Sequence, residues 1–72
     1  MVDTIRVVVE VVGRGMIREV SVKKGVKVEE VLRMIGLNPV EYVVILGRTL
    51  VPEDEMITQG TRLKLVPVVS GG

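Results

Sequence analysis

The first part of the chain alternates apolar and polar positions with a period of two residues. The apolar positions on one face of an extended chain would be Ile5, Val7, Val9 and Val11. Arg6 and Glu10 mark the other face as the one in water. This alternation of β-branched residues predicts a strand over residues 5–12 with one buried face. Glycines at 13 and 15 predict a turn into a second strand over residues 16–22, which completes a hairpin.

A helical period follows the hairpin. The apolar residues spaced at i, i+3, i+4 and i+7 are Val28, Val31, Leu32 and Ile35. One apolar stripe of this kind predicts a short helix that covers one face of a sheet. Gly36 and Pro39 predict its end. Lys27 stands at the N-cap, where serine, threonine or aspartate would be expected, so the helix lacks an ordinary side-chain cap.

The remaining pattern predicts three more strands. Residues 42–46 are nearly all apolar, and residues 49–51 form a short strand that stops at Pro52. The acidic segment 53–57 is interpreted as a crossover with one helical turn. In residues 62–69, Leu63 and Leu65 would point inward and Lys64 outward. The order β-β-α-β-β-β predicts an α+β fold, a sheet with one helix packed on one face.

Composition then excludes several classes of function. A chain of 72 residues has room for one domain, and it contains no cysteine and no histidine. Disulfides, thiolate sites and the commonest general base are therefore absent, which argues against an enzyme and against a metal site. Ten basic and nine acidic residues with a single aromatic residue, Tyr42, favour neither direct nucleic-acid binding nor membrane binding. No signal peptide or long apolar run is recognisable, so a cytoplasmic protein is expected.

The alternation also predicts an exposed apolar surface. If Arg6 and Glu10 point outward, Val8 does too, and an outward Lys64 carries Val66 and Val68 with it. If Val43 and Ile45 face the core, Val44 joins this surface. Such a contiguous patch would be a docking surface for a partner. The competing interpretation is that these valines are scattered surface residues with high β-propensity.

The sequence finishes with Ser70, Gly71 and Gly72. Because glycine has no Cβ, an acyl end made of two glycines can enter a narrow pocket of another protein that a bulkier residue could not. We therefore expect residues 1–69 to form the folded domain and residues 70–72 to form a flexible tail that reaches at most about 10 Å beyond it. The competing interpretation is a frayed end without a function.

Several stretches of the sequence resemble those of a known protein family. The stretches on which the resemblance rests are the helix end Ile35-Gly36-Leu37-Asn38-Pro39, the segment from Val44 to Pro52 with its Gly47-Arg48 turn, the later Gln59-Gly60-Thr61, and the ending Leu65 to Gly72. They look like the ThiS/MoaD-type ubiquitin-like sulfur carriers, and most of all like archaeal small modifier proteins and their Urm1-like relatives. The resemblance implies a β-grasp fold with a mixed sheet of four to five strands.

The resemblance also implies a role for the tail. An E1-like activating enzyme of the ThiF/MoeB type would adenylate the Gly72 carboxylate with Mg-ATP, while the carrier itself binds no cofactor. A persulfide could then leave a thiocarboxylate, which a sulfurtransferase or synthase subunit uses for tRNA thiolation, molybdopterin or thiazole synthesis. A lysine of a target protein could instead form an isopeptide bond. By the same resemblance, Val44, Val66 and Val68 match an apolar recognition patch and Gly71 and Gly72 match the activated tail.

The sequence leaves three alternatives open: the pathway, the acceptor lysine and the function itself. Ser70 is counted with the docking residues, but it fits several branches of the family and does not choose a pathway. The lysines that could accept a conjugate are Lys23, Lys24, Lys27 and Lys64. The alternative function is a passive β-grasp interaction module that docks through its valine patch and does not use its tail.

Overall fold

The computed structural model describes residues 3–69 of the 72-residue chain. In chain order, the elements are β1 (Thr4–Val11), β2 (Met16–Lys23), β3 (Val26–Lys27), the helix α1 (Val28–Met34), a 3-10 turn (Pro39–Glu41), β4 (Tyr42–Leu46), β5 (Thr49–Val51), β6 (Met56–Ile57) and β7 (Thr61–Pro67). The predicted hairpin, helix and later strands are all present, and the bounds of β4 and β5 agree with the prediction. The last strand ends at Pro67, two residues before the predicted end.

Five of the strands form one mixed sheet. Their spatial order is β2-β1-β7-β4-β5, in which β1 and β7 run parallel and the other neighbours run antiparallel. The first and last strands of the chain are therefore neighbours at the centre of the sheet. The short strands β3 and β6 form a separate two-stranded pair. A hairpin, a helix and a parallel central pair arranged in this way form a β-grasp.

The core lies between the helix and one face of the sheet. The buried apolar residues are Val7, Val9, Val11, Val22, Val28, Val31, Leu32, Val44, Ile57, Leu63 and Leu65. The alternation predicted for β1 and β7 is confirmed, because their odd-numbered residues point inward. Among residues 3–69, no polar or charged side chain is buried. The core is thus made only of aliphatic side chains, mainly valine and leucine.

The helix begins without a side-chain cap, as Lys27 predicted, but its first turn is not left unsatisfied. Lys27 makes no side-chain cap hydrogen bond. The backbone N–H groups of Val28 and Glu29 instead donate to the carbonyl oxygens of Glu55 and Glu53, at 2.9 and 2.8 Å. Carbonyls from the acidic segment therefore satisfy donors that a cap residue would otherwise serve.

The acidic segment forms a hydrogen-bonded turn followed by a short strand, which differs from the single helical turn predicted for it. In the turn, the N–H of Glu55 donates to the carbonyl of Pro52 at 3.1 Å. Its last part is β6, in which Ile57 pairs with Val26 and Met56 pairs with Lys27. Ile57 is buried and belongs to the hydrophobic core. The segment is held in this form by the pairing with β3 and by the two bonds to the helix start.

The helix ends just before Gly36, where its end was predicted. The N–H of Leu37 donates to the carbonyl of Leu32 at 2.9 Å, and the N–H of Gly36 donates to that of Arg33 at 3.1 Å. This pair of bonds is a Schellman motif. Gly36 has a φ of +82°, in the left-handed region that favours glycine.

Replacing Gly36 by alanine is expected to lower the free energy of unfolding by about 1 kcal/mol, since the alanine Cβ is strained at positive φ. A Cβ at this position would meet no atom within 4 Å, so steric overlap with neighbours adds nothing to the loss. Urea unfolding of the two proteins measures the difference. Gly36→Asn is the matched control, and its loss should be smaller because asparagine tolerates this backbone conformation. Equal stability of all three proteins would contradict the assignment.

Candidate docking surface and C-terminal segment

The outer face of the sheet, opposite the helix, carries an apolar cluster at one end. Val66 of β7 pairs with Val43 of β4, and Ile45 pairs with Leu50 of β5. Val12 and Val68 lie just beyond the ends of β1 and β7 and continue the outward-facing positions of these two strands. We call the cluster the outer apolar patch; its members are Val12, Val43, Ile45, Leu50, Val66 and Val68. Four of the six are well exposed, Leu50 most of all, at 65%.

The predicted exposure of Val44 is wrong. Val44 is only 3% exposed and belongs to the core, where it pairs with Leu65 and Val51. Its neighbour Val43 is 38% exposed and points to the outer face. The alternation of β4 is therefore the reverse of the one assumed from sequence. Val43 and Ile45 occupy the surface on which Val44 was expected.

Val8 lies on the outer face, as predicted, but it does not join the patch. It is half-buried and pairs with Arg62 on one side and Glu19 on the other. The next pair of the two central strands on this face is Glu10 with Lys64. A guanidinium nitrogen of Arg62 also lies 3.6 Å from a carboxylate oxygen of Glu10. This charged row separates Val8 from Val66, so the predicted four-valine surface is not continuous.

The chain leaves the folded body at the patch. The N–H of Val68 donates to the carbonyl of Glu41 at 2.9 Å, which continues the pairing of β7 with β4 by one residue. Val69 follows and is 87% exposed. The predicted site residues Ser70, Gly71 and Gly72 lie outside the described residues, so the tail and the domain boundary before it stay predictions.

Comparison with known proteins decides the family. The family model for small archaeal modifier protein 2 matches residues 5–69, which is nearly all of the chain. The chain belongs to this family. A solved structure of a ubiquitin from Caldiarchaeum subterraneum is similar in fold, with a TM-score of 0.72 over 97% of this chain and 100% of that chain. Its sequence identity of 19% supports the shared β-grasp fold alone. The predicted ubiquitin-like fold and the resemblance to archaeal modifiers are confirmed.

A small archaeal ubiquitin-like modifier is a protein on which an enzyme acts. Between residues 3 and 69, no group of three or more acidic residues is close enough to hold a metal ion. A cleft of about 130 Å³ lies near Met56, Thr58 and Gln59. It is smaller than the roughly 300 Å³ at which ligand pockets begin. The outer apolar patch adjoins the exposed end of β7, and together they are the candidate functional site of the modifier.

The modifier's charged groups lie at its surface. The predicted acceptor lysines, Lys23, Lys24, Lys27 and Lys64, are all exposed. Exposure is necessary for conjugation but does not select one of the four. No described helix is both long enough and apolar enough to cross a membrane.

Proposed function

We propose that this modifier is a sulfur carrier and protein modifier whose Gly72 carboxylate is adenylated by an E1-like enzyme. The enzyme docks on the outer apolar patch and takes the tail into its own active site. The observation that carries the proposal is the course of β7. This strand contributes Val66 to the patch, and Val68 extends it there, immediately before the chain emerges at the exposed Val69.

The two parts of the site have different tasks. Apolar side chains on a rigid sheet bury area against the enzyme and supply affinity, because burial of apolar surface favours association. Residues beyond Val69 supply reach, about 3.5 Å for each residue in an extended chain. Three residues therefore separate the docked body from the reacting carboxylate by about 10 Å. Docking of the patch fixes the direction in which the tail enters.

The activation step is a nucleotidyl transfer. An oxygen of the Gly72 carboxylate attacks the α-phosphorus of Mg-ATP, the bond to the bridging oxygen breaks, and pyrophosphate leaves. The product is an acyl-adenylate, a mixed anhydride. Its carbonyl carbon is open to nucleophiles that would not attack a carboxylate. The modifier contributes only the acyl group, which agrees with the absence of cysteine and histidine from its sequence.

Two nucleophiles give the two proposed outcomes. The outer sulfur of a persulfide attacks the acyl carbon and AMP leaves; a thiol then cleaves the sulfur–sulfur bond, which yields a thiocarboxylate and a disulfide. The thiocarboxylate is a sulfur donor for a sulfurtransferase or synthase. Alternatively, a lysine amine of a target protein attacks, AMP leaves, and an isopeptide bond joins Gly72 to the target.

Intact mass spectrometry tests the sulfur branch. Incubation of the modifier with the E1-like enzyme of the same genome, Mg-ATP and a persulfide donor is expected to replace one oxygen by sulfur. The mass should rise by the difference between these two atoms, because only the terminal carboxylate is exchanged. Fragment spectra should place the change on Gly72.

Two controls accompany this measurement. The mass should stay unchanged when ATP is omitted. A chain that ends at Ser70, incubated with all components, should also keep its mass. An unchanged mass with an enzyme that releases pyrophosphate would reject the sulfur branch and leave conjugation. If the chain ending at Ser70 binds its partners and complements the cell fully, the passive interaction module is the correct function instead.

A further inference from the structure

The strand β2 forms an open edge of the sheet. It has eight residues and pairs along its whole length with β1, from Met16 opposite Val11 to Lys23 opposite Thr4. Within residues 3–69, no strand pairs with its other side. The opposite edge of the sheet is β5, which has only three residues. An edge strand of this length presents a row of unpaired backbone groups that can template another strand.

The backbone groups that face outward can be assigned from the bonds of the central strand. The N–H of Val12 donates to the carbonyl of Leu65 in β7, so the backbone N–H and C=O groups of the even-numbered residues of β1 face β7. The N–H of Lys24 donates to the carbonyl of Asp3, so the odd-numbered residues of β1 face β2. Because odd-numbered residues of β1 pair with even-numbered residues of β2, the backbone N–H and C=O groups of the even-numbered residues of β2 face β1. The residues of β2 whose N–H and C=O groups face outward are Ile17, Glu19, Ser21 and Lys23.

Two of the devices that blunt an edge, a bulge and a proline, are absent from β2, although the strand carries the charged side chains of Arg18, Glu19 and Lys23. The pairing of β1 with β2 runs without a bulge, and β2 contains no proline. The core also reaches the edge. Met16 and Val20 are partly buried, pack against the core and point to its side of the sheet. Apolar side chains at alternate positions of an added strand would extend the core past these two residues.

The net charge around β2 indicates which kind of strand would bind at this edge. Residues 14–24 contain four basic residues and one acidic residue, which gives +3, whereas the whole chain carries +1. The basic residues are Arg14, Arg18, Lys23 and Lys24. Two copies of the chain that paired through β2 would bring two segments of +3 together, so self-pairing is opposed. An acidic strand would be attracted to the same edge.

We propose that the outer edge of β2 binds an extended, acidic peptide segment of a partner protein as a sixth strand. The segment carries β-branched apolar residues at alternate positions and carboxylates between or beside them. Backbone hydrogen bonds to the outward groups give affinity, and the basic residues around β2 give selectivity for acidic segments. This site uses neither the Gly72 carboxylate nor the outer apolar patch, so the modifier could hold a partner while its tail is joined to something else.

Fluorescence anisotropy with a designed peptide tests the proposal. The probe has roughly ten residues, about the span of β2, with valines alternating with aspartates and a fluorescein label. The full-length modifier should bind it, and a peptide with lysines in place of the aspartates should not bind. Ser21→Pro removes an outward N–H at the centre of the edge and should weaken binding about tenfold. Ser21→Ala is the matched control and should bind like the wild type.

A charge pair separates edge binding from general attraction. Lys23→Glu lies on β2, on the outer face that would receive the aspartates of an added strand whose valines face the core. Arg48→Glu reverses a charge in the same way in the turn between β4 and β5, at the far edge of the sheet. The first should weaken binding about tenfold and the second less than about twofold. Equal losses would show non-specific attraction and would overturn the proposal.

Amide hydrogen exchange on the unmodified protein gives a readout that does not depend on whether Ser21→Pro folds. The outward amides of Ile17, Glu19, Ser21 and Lys23 should exchange fast in the free protein and become protected when the peptide is added. Protection confined to β4 or β5 would overturn the proposal. So would protection of these amides without the peptide together with a dimer in sedimentation, which would make a second copy the occupant.

Discussion

Replacing Gly71 and Gly72 with valines is expected to reduce the rate of E1-dependent adenylation by at least about 100-fold. Displacement of a reacting group by about 1 Å costs a factor of this size, and the valine side chains would meet the walls of a channel that admits an unbranched chain. The rate is measured as ATP–pyrophosphate exchange at saturating enzyme. We expect the affinity of the folded body for the enzyme to change far less than the rate.

The control for this variant is a change of bulk at a position remote from the site. Val40→Leu lies in the 3-10 turn and is exposed, so it should leave the exchange rate within about twofold of the wild type. Circular dichroism should show the same folded state for all three proteins. An unchanged rate in the double valine variant would reject the tail as the activated group, whatever the role of the docking surface.

The sequence was sufficient for the parts of the fold where charge marks the wet face. Arg6 and Glu10 define the phase of β1, and Lys64 with Arg62 defines that of β7; the structure confirms both. In β4 the residues from Val43 to Leu46 are all apolar, so alternation has no marker. The phase of β4 is set by its register against β7, in which Val44 lies opposite Leu65. That register is a long-range property which a single sequence does not contain.

Very short strands were missed for a related reason. β3 and β6 have two residues each, which is too few for any periodicity. Ile57 is a core residue because β6 pairs with β3, although the residues that precede it in the sequence are acidic. The same pairing delivers the carbonyls that complete the start of the helix. Local rules predicted the poor cap at Lys27 correctly, but they contain no information about a distant segment that replaces it.

The reversed phase of β4 changes the site more than the fold. With Val44 in the core, the outer apolar patch, which is the proposed docking surface, consists of Val43, Ile45 and Leu50 beside Val12, Val66 and Val68. None of the first three was among the predicted docking residues. A polar marker in β4 would have revealed them from sequence. The two versions of the surface also differ at Val8, which gives an experiment that separates them.

Val43→Asp is expected to weaken binding of the E1-like enzyme about 30-fold, whereas Val8→Asp should weaken it less than about threefold. Val43 lies inside the outer apolar patch opposite Val66, and loss of a central apolar contact at an interface costs about 2 kcal/mol. Val8 is enclosed by charged neighbours on the same face of the sheet. Isothermal titration of each variant with the enzyme measures the two losses.

The two variants are matched, because each introduces the same side chain on the outer face of a strand of the same sheet. The low β-propensity of aspartate therefore affects both, and thermal unfolding should show similar small losses of stability. Val43→Ile should retain wild-type affinity, since it keeps the position apolar and β-branched. A larger effect at Val8 than at Val43 would favour the surface inferred from sequence. Equal effects would place the enzyme on neither, and the link between the patch and the emerging tail would then have to be abandoned.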